Sequence, residues 1–408
     1  MNFVQSAERP AHREGALYPE SLSPSVEPVE PVAGVPAFHI PTAADTSYLA
    51  HGFFRYIGKY PPQIVSDILN RFYEGGLIVD PMCGGGTTLI EARLRGLDAV
   101  GLDVNPVSRI VSSAVSHPVE AELFSTLCDR ILAEFSAATR MPGPLFQSAA
   151  PKRPNRRDFA ISFCAEYFDP RTLADIGHYM EVVASEEPRF RDLLLMSMFA
   201  VLRRVSRANI KKMNLEIDDT KKTILPFGEA IAGQLNMLRA AVADYASWAK
   251  PCSIKVLDGD ALETGLEDGS AGIVFLHPPY LTNTAFCEFT QLQLAVLGVD
   301  HKSIWKRELR CRGSFLHESN GLKKYLINWH NIIKEAIRVL RPGGVLVTVV
   351  GDGQMDYVRI PVGTITLDFA RDNGAQLLEH TVHVLNNNTG RTQSRKMVGQ
   401  HVAVFKKP

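Results

Sequence analysis

Apolar residues first gather into a strand-like run at Gly76–Asp80 (GLIVD), four uncharged positions closed by an acid. That length and composition predict a strand buried on both faces. A glycine-rich turn follows, and TLIEARLRG then predicts a helix stopped by Gly96. DAVGLD (Asp98–Asp103) predicts a second strand, again closed by an acid. Strand–helix–strand alternation of this kind predicts a parallel sheet with right-handed crossovers. Between residues 107 and 250 the alternation stops, and stretches such as RDLLLMSMFAVLRRV and EAIAGQLNMLRAAVADYASW have helical periodicity. Strands resume with SIKVLDGDA (Ser253–Ala261) and AGIVFLHPPY (Ala271–Tyr280). A basic, aromatic stretch over 281–325 leads to a helix ending NIIKEAIRVLRPGG, and VLVTVVGD, HTVHVLN and VAVFKK predict the last strands. No repeat of fixed period is present.

The expected organisation is one doubly wound α/β domain built from residues 47–106 and 252–408. A helical insertion, 107–251, separates its second and third strands. Residues 1–45 hold seven prolines and no apolar periodicity, so 1–46 is expected to be a flexible arm.

Composition narrows the class. With 408 residues and 45% hydrophobic content, the chain has material for a large core, which excludes wholesale disorder. No apolar run approaches the roughly 20 residues of a membrane span. The first residues lack the apolar stretch of a signal peptide, so a cytoplasmic protein without membrane contact is expected. Six scattered cysteines, none in a C-x-x-C pair, argue against a disulfide framework and against a metal site. Lys+Arg and Asp+Glu are 44 each, which argues against a basic coat for nonspecific nucleic-acid binding but leaves room for a local basic face.

Two motifs carry candidate chemistry. Asp80-Pro81-Met82-Cys83-Gly84-Gly85-Gly86-Thr87-Thr88 joins a strand to a helix. Glycines there let a ligand approach the backbone, and the helix N-terminus adds partial positive charge. The turn has no lysine, so it is no phosphate-binding P-loop, and Leu89 stands where a dinucleotide fingerprint needs its third glycine. S-adenosylmethionine is the reading that remains beside an ordinary strand-to-helix turn: acids at two adjacent strand ends, Asp80 and Asp103, suit its amino-acid end and its ribose diol. The second motif is His277-Pro278-Pro279-Tyr280, where two prolines end a strand and fix its backbone.

The run D-P-M-C-G-G-G-T-T-L-I-E-A followed by G-L-D-V-N-P resembles the signature of the S-adenosylmethionine-dependent DNA amino-methyltransferases. Arg55-Tyr56-Ile57-Gly58-Lys59-Tyr60-Pro61-Pro62 is similar to the segment that precedes the first strand in that family, and His277-Pro278-Pro279-Tyr280 to its S/N/D-P-P-Y motif. The resemblance covers about residues 50–110 and 253–408. It implies a Rossmann-like class I methyltransferase sheet and S-adenosyl-L-methionine as cofactor. It implies cofactor contacts at Lys59, Tyr60, Asp80, Met82, Cys83, Gly84, Gly86, Thr87, Thr88, Asp103, Val104, Asp260 and Ala261, with Asp258 left as a surface or turn residue. At His277 the family usually has Ser, Asn or Asp. A neutral imidazole there is expected to accept a hydrogen from the target amino group, with activity falling once it protonates. Tyr280 is expected to stack on an extruded base. Pro251-Cys252, the pair a C5-cytosine mechanism would need, precedes the third strand and is read as coincidence.

Basic residues cluster at Lys152, Arg153, Arg156 and Arg157; at Arg203, Arg204, Arg207, Lys211 and Lys212; and at Lys302, Lys306, Arg307, Arg310, Arg312, Lys323 and Lys324, interleaved with Trp305, Phe315 and Tyr325. Arg391, Arg395 and Lys396 lie near Asn386–Asn388. Lys302, Lys306, Arg307, Arg310, Arg312, Arg391 and Arg395 are the candidate nucleic-acid contacts. The expected function is methyl transfer to an exocyclic amino group in double-stranded DNA, first N4 of cytosine and then N6 of adenine. The alternatives are an RNA base methyltransferase and an inactive nucleic-acid-binding relative. The resemblance further implies a bacterial, restriction-modification setting with a cognate endonuclease, and a monomer or homodimer.

Overall fold

The computed structural model describes residues 37–38, 40, 45–140, 158–212, 214–221, 223–281, 286–311, 320–355, 358–384 and 399–408. The strands are β1 (Ala37–Phe38), β2 (Leu77–Asp80), β3 (Ala99–Asp103), β4 (Ile254–Asp258), β5 (Ala271–Leu276), β6 (Leu340–Gly351), β7 (Gly353–Met355), β8 (Val358–Ile360), β9 (Gln376–Val384) and β10 (Gly399–Lys406). Eight of them form one sheet in the order β1-β9-β10-β6-β5-β2-β3-β4, and β7 and β8 make a separate hairpin. The five strands β4-β3-β2-β5-β6 are mutually parallel, and β10 is inserted antiparallel between β6 and β9. Central β5 (AGIVFL) is buried throughout, as expected of a strand with helices on both faces. The expected doubly wound sheet is thus present. One part of the supposed flexible arm departs from expectation, because Ala37–Phe38 pairs in parallel with Val382–His383 of β9.

After β2 the chain winds outward through β3 to β4. After β5 it winds the other way to β6. The reversal puts a crevice at the carboxyl ends of β2 and β5, where ligands bind in open sheets of this kind. Asp80 ends β2 and His277 follows β5, so both sequence motifs lie at this crevice.

The helices are α1 (Pro62–Phe72), α2 (Thr87–Arg95), α3 (Pro106–Ser116), α4 (Ala121–Arg140), α5 (Asp158–Tyr167), α6 (Pro170–Ser185), α7 (Pro188–Val201), α8 (Phe227–Trp248), α9 (Phe286–Phe289), α10 (Gln291–Val296), α11 (His301–Trp305), α12 (Gly321–Val339) and α13 (Val362–Asp372). Ile64, Val65, Ile68 and Leu69 of α1 pack with Ile273, Phe275, Val347 and Val404 on one sheet face. Trp329, Ile333 and Ile337 of α12 pack with Val274, Leu276 and Leu346 on the other. Helix α2 is buried from Thr87 to Leu94, because Leu89 and Ala92 face the sheet while Ile90 and Leu94 face a further layer of helices. That layer contains the stretch read as an insertion. Its first helix, α3, packs on β3 and β4 as the crossover between them, so the stretch foreign to the sheet begins after Ser116. Phe53, α8 and α10 share one apolar core with α4, α6 and α7, and Phe53 meets Tyr245 edge to face at 5.8 Å. The helical layer is therefore continuous with the domain that carries it.

Candidate active site

The cofactor half begins at Asp80. Its Oδ2 accepts from Thr88 Oγ1 at 2.6 Å, its Oδ1 accepts from the Met82 N–H at 3.2 Å, and Tyr60 Oη lies 2.6 Å from the same threonine hydroxyl. Burial pushes the Asp80 carboxyl up to about 7. The turn after it curls through two left-handed glycines, Gly84 at φ +48° and Gly86 at φ +79°. A Cβ on Gly86 would stand 2.9 Å from Val115 Cγ2 and 3.1 Å from Ser112 Cα, so this glycine serves the close approach of α3. The Gly84 N–H donates to Asp103 Oδ2 at 3.0 Å and the Asn105 N–H to Asp103 Oδ1 at 2.8 Å. Burial raises the Asp103 carboxyl to about 6 despite these bonds.

These elements surround a cavity of about 560 Å³. Of the residues expected to hold the cofactor, Lys59, Tyr60, Met82, Cys83, Gly84, Thr87, Asp103, Val104, Asp260 and Ala261 line it. Asp80, Gly86 and Thr88 do not. Asp80 and Thr88 are buried, and their bonds and the left-handed Gly86 shape the turn. Lys59 Nζ donates to the His51 carbonyl at 2.7 Å, and burial lowers its ammonium to about 8. Asp260 Oδ1 accepts from the Leu262 N–H at 2.9 Å. A carboxylate at one strand end, a glycine turn in the wall and a cavity of this size suit S-adenosylmethionine. A Cβ on Gly85 would lie 2.8 Å from Tyr56 Cβ, so the wall of the turn also leaves no room for a side chain.

The second half follows β5. His277 and Pro279 line the same cavity, Pro278 is buried, and Tyr280 stands behind His277 outside the lining. The Tyr280 hydroxyl lies between His277 Nε2 (2.8 Å) and Gln400 Nε2 (2.6 Å). Tyr60 packs edge-on to the His277 ring at 4.6 Å. Burial pushes the His277 imidazole down to about 3, below the mildly acidic range in which protonation was expected from the sequence. Nε2 is engaged with the Tyr280 hydroxyl, which leaves Nδ1 as the ring nitrogen open to a target base.

Lys306, Arg307 and Arg310 line the cavity. Arg307 is committed to Asp258 at 2.7 Å, and Arg310 lies over the Trp305 ring at 4.3 Å. Asp258, expected to be a bystander, also takes Arg109 at 3.1 Å, and Arg109 Nη1 donates to the Asp103 carbonyl at 2.9 Å. Lys302 is exposed and does not line the cavity. Arg312, Arg391 and Arg395 lie outside the described residues, as do Lys152, Arg153, Arg156 and Arg157. Arg207 and Lys212 of the helical layer are paired with Asp219 and Glu216. Cys252 precedes β4, at the amino edge of the parallel strands and away from the crevice.

Sequence reasoning missed Glu308 and Asn328 and took Tyr325 only as an aromatic among basic residues; all three stand in the cavity wall. Glu308 Oε1 accepts from the Cys287 N–H at 2.9 Å, its Oε2 is buried without a partner among the described residues, and burial raises the carboxyl to about 7. No spacing rule marks Glu308. Tyr325 and Asn328 are three apart on α12, a helical repeat that was legible as core alone.

The family model described as RMKL-like, methyltransferase domain, matches residues 68–122. The Type II methyltransferase M.MjaII of Methanocaldococcus jannaschii is 32% identical over 77 residues, 19% of this chain and 14% of that protein. The Type II methyltransferase M.BsoBI of Geobacillus stearothermophilus is 23% identical over 299 residues, 65% of this chain and 56% of that protein. The chain thus spans less than two thirds of either relative. Among solved structures, an S-adenosylmethionine-dependent methyltransferase from Methanosarcina mazei aligns with 86% of this chain and 98% of its own, at 11% identity and a TM-score of 0.33.

Proposed function

We propose that the chain is an S-adenosylmethionine-dependent methyltransferase that methylates an exocyclic amino group of a base in DNA, with N4 of cytosine as the first-choice acceptor. One observation carries this reading. The Asp80–Thr88 turn and the His277–Pro279 segment end neighbouring strands at the switch point and border a single cavity.

S-adenosylmethionine supplies a methyl group activated by its sulfonium. The chain's task is to hold the acceptor beside it. Asp103 offers a carboxylate to a ribose diol, and the Asp80–Thr88–Tyr60 bonds keep the turn rigid. A backbone carbonyl of the His277–Pro279 segment takes an amino hydrogen and so shifts electron density toward a weakly nucleophilic nitrogen. Positioning of this kind supplies much of the rate. The nitrogen becomes acidic once methylated, so the site needs no strong base. A base reaches such a cavity only when extruded from the duplex. Double-stranded DNA is the partner this reading carries, and the helical layer after α3 is its target-recognition element. A paired endonuclease belongs to the same proposal.

The test is transfer from methyl-labelled S-adenosylmethionine to plasmid DNA and, in parallel, to total RNA, followed by digestion to nucleosides and mass spectrometry. N4-methylcytosine is the expected product. N6-methyladenine would overturn the choice of base, and label confined to RNA would overturn DNA.

A further inference from the structure

We propose that Gln400, acting through Tyr280, holds His277 in the tautomer protonated at Nδ1, so that His277 donates a hydrogen bond to the ring nitrogen beside the reacting amino group. The part concerning the base rests on the methyltransferase reading above. The part concerning the tautomer does not.

Gln400 is buried on β10, where the antiparallel register sets it opposite His383 of β9. Its Oε1 lies 3.1 Å from His383 Nδ1 and its Nε2 lies 2.6 Å from Tyr280 Oη. An amide nitrogen only donates. Tyr280 Oη is therefore the acceptor from Gln400, and its single hydrogen is left for its other neighbour, His277 Nε2, at 2.8 Å. A ring nitrogen that accepts carries no proton, so the neutral imidazole carries its proton on Nδ1. The lowered basicity of His277 agrees with a ring that stays neutral. Tyr60 and Tyr280 meet the ring at 63° and 88°, which fixes its plane.

Nδ1 has no protein partner among the described residues, and His277 lines the cavity. A fixed N–H donor there complements an acceptor on the base. Cytosine presents N3 beside its amino group and adenine presents N1. This division of labour leaves the amino hydrogens to backbone carbonyl oxygen and gives His277 the ring. It also accounts for a histidine where the related enzymes carry a short acceptor. Gln400 is then a positioning residue, since it reaches the reaction only through Tyr280.

The first arm is a long-range proton–nitrogen NMR spectrum of the full-length protein labelled with nitrogen-15 histidine, the His277 signal being identified by its loss in His277→Asn. The expected pattern is a protonated Nδ1 and an unprotonated Nε2. In Gln400→Glu the carboxylate can only accept, so the hydrogen bonds reverse and the proton moves to Nε2. An Nε2–H form in the wild type, or the same tautomer in Gln400→Glu, would overturn the tautomer. The second arm compares transfer to DNA carrying cytosine or 3-deazacytosine at the target. Loss of one good hydrogen bond predicts transfer about 10- to 100-fold slower to the deaza base in the wild type, and little difference in Gln400→Glu. Equal rates in the wild type would overturn the donor role. Failure to methylate DNA at all leaves the NMR arm standing and falls on the proposed function instead.

Discussion

Arg307 brings a guanidinium nitrogen to 2.7 Å from Asp258 Oδ1, and so ties the segment after α11 to the end of β4. Lys306, Glu308 and Leu309 of the same segment wall the cavity, so this ion pair closes one side of the cofactor site. Both partners are partly exposed, which limits the pair to about 0.5–1 kcal/mol. Arg307→Ala is expected to weaken S-adenosylmethionine binding about two- to fivefold by calorimetry, the same energy expressed as a ratio. The slope of log DNA affinity against log salt should stay unchanged. A lost phosphate contact would reduce that slope by roughly one, and would restore Arg307 as a nucleic-acid contact.

The buried carboxyls set a pH dependence of definite sign. Asp103 and Asp80, raised to about 6 and about 7, hold their protons below those values. A cationic cofactor favours their ionised forms, so its affinity should rise as pH climbs from 5.5 to 8, with proton release on binding. His277, held near 3, is neutral throughout that range. Single-turnover rates at saturating cofactor and DNA are therefore expected to be flat from pH 5 to 8. A rate that changes across that range in the wild type but not in His277→Asn would show that His277 titrates there after all.

The same raised carboxyl affects stability. Folded Asp80 retains its proton to about 7, whereas the unfolded chain releases it near 3.8. The stabilising contribution is complete below the lower value and is lost as pH rises between the two. Asp80→Asn removes this component. Thermal melts should show the variant gaining on the wild type as pH goes from 5 to 8, whatever the gap at the acid end. A gap that stays constant with pH would refute the assignment.

Gly86→Ala combines a left-handed backbone with a methyl group pressed on Ser112 and Val115. Strain of this sort costs about 1–3 kcal/mol. Chemical denaturation should show that loss with the slope unchanged, because the fold itself is retained. A neutral result would mean that α3 can retreat from the turn.

Glu91 is buried on α2 and binds His51 at 2.9 Å and Arg95 at 2.6 Å, with Tyr48 on the same carboxylate. It anchors the segment that carries Lys59 and Tyr60 into the cavity. Removing one member of a buried charged network costs about 3–5 kcal/mol, so Glu91→Ala should lower the unfolding midpoint strongly, while Asp67→Ala, on an exposed pair with Arg71, should barely register.

Much of the sheet was legible because its central strands are continuous apolar runs, and a run such as AGIVFL has few other places to go. The switch-point motifs were legible for a related reason: Asp80, Gly84 and the Pro278-Pro279 pair each impose a backbone constraint that shows in the residue type itself. Three things were hidden. Ala37–Phe38 joins the sheet through pairing with a strand more than three hundred residues later, which no local pattern announces. Helix α3 reads like the helices after it, although it packs on β3 and β4 as their crossover. Gln400, Glu308 and Asp258 are ordinary polar residues by sequence, and they reach the cavity or its supports only through tertiary packing.

Antiparallel β10 joins the sheet next to β6 and carries Gln400 to a loop whose own strand ended more than a hundred residues earlier. The wall of the cavity and the residue that sets the imidazole proton in the proposal above thus come from separate parts of the sheet. A change confined to β10 is then expected to release His277 while the groove between β2 and β5 keeps its shape.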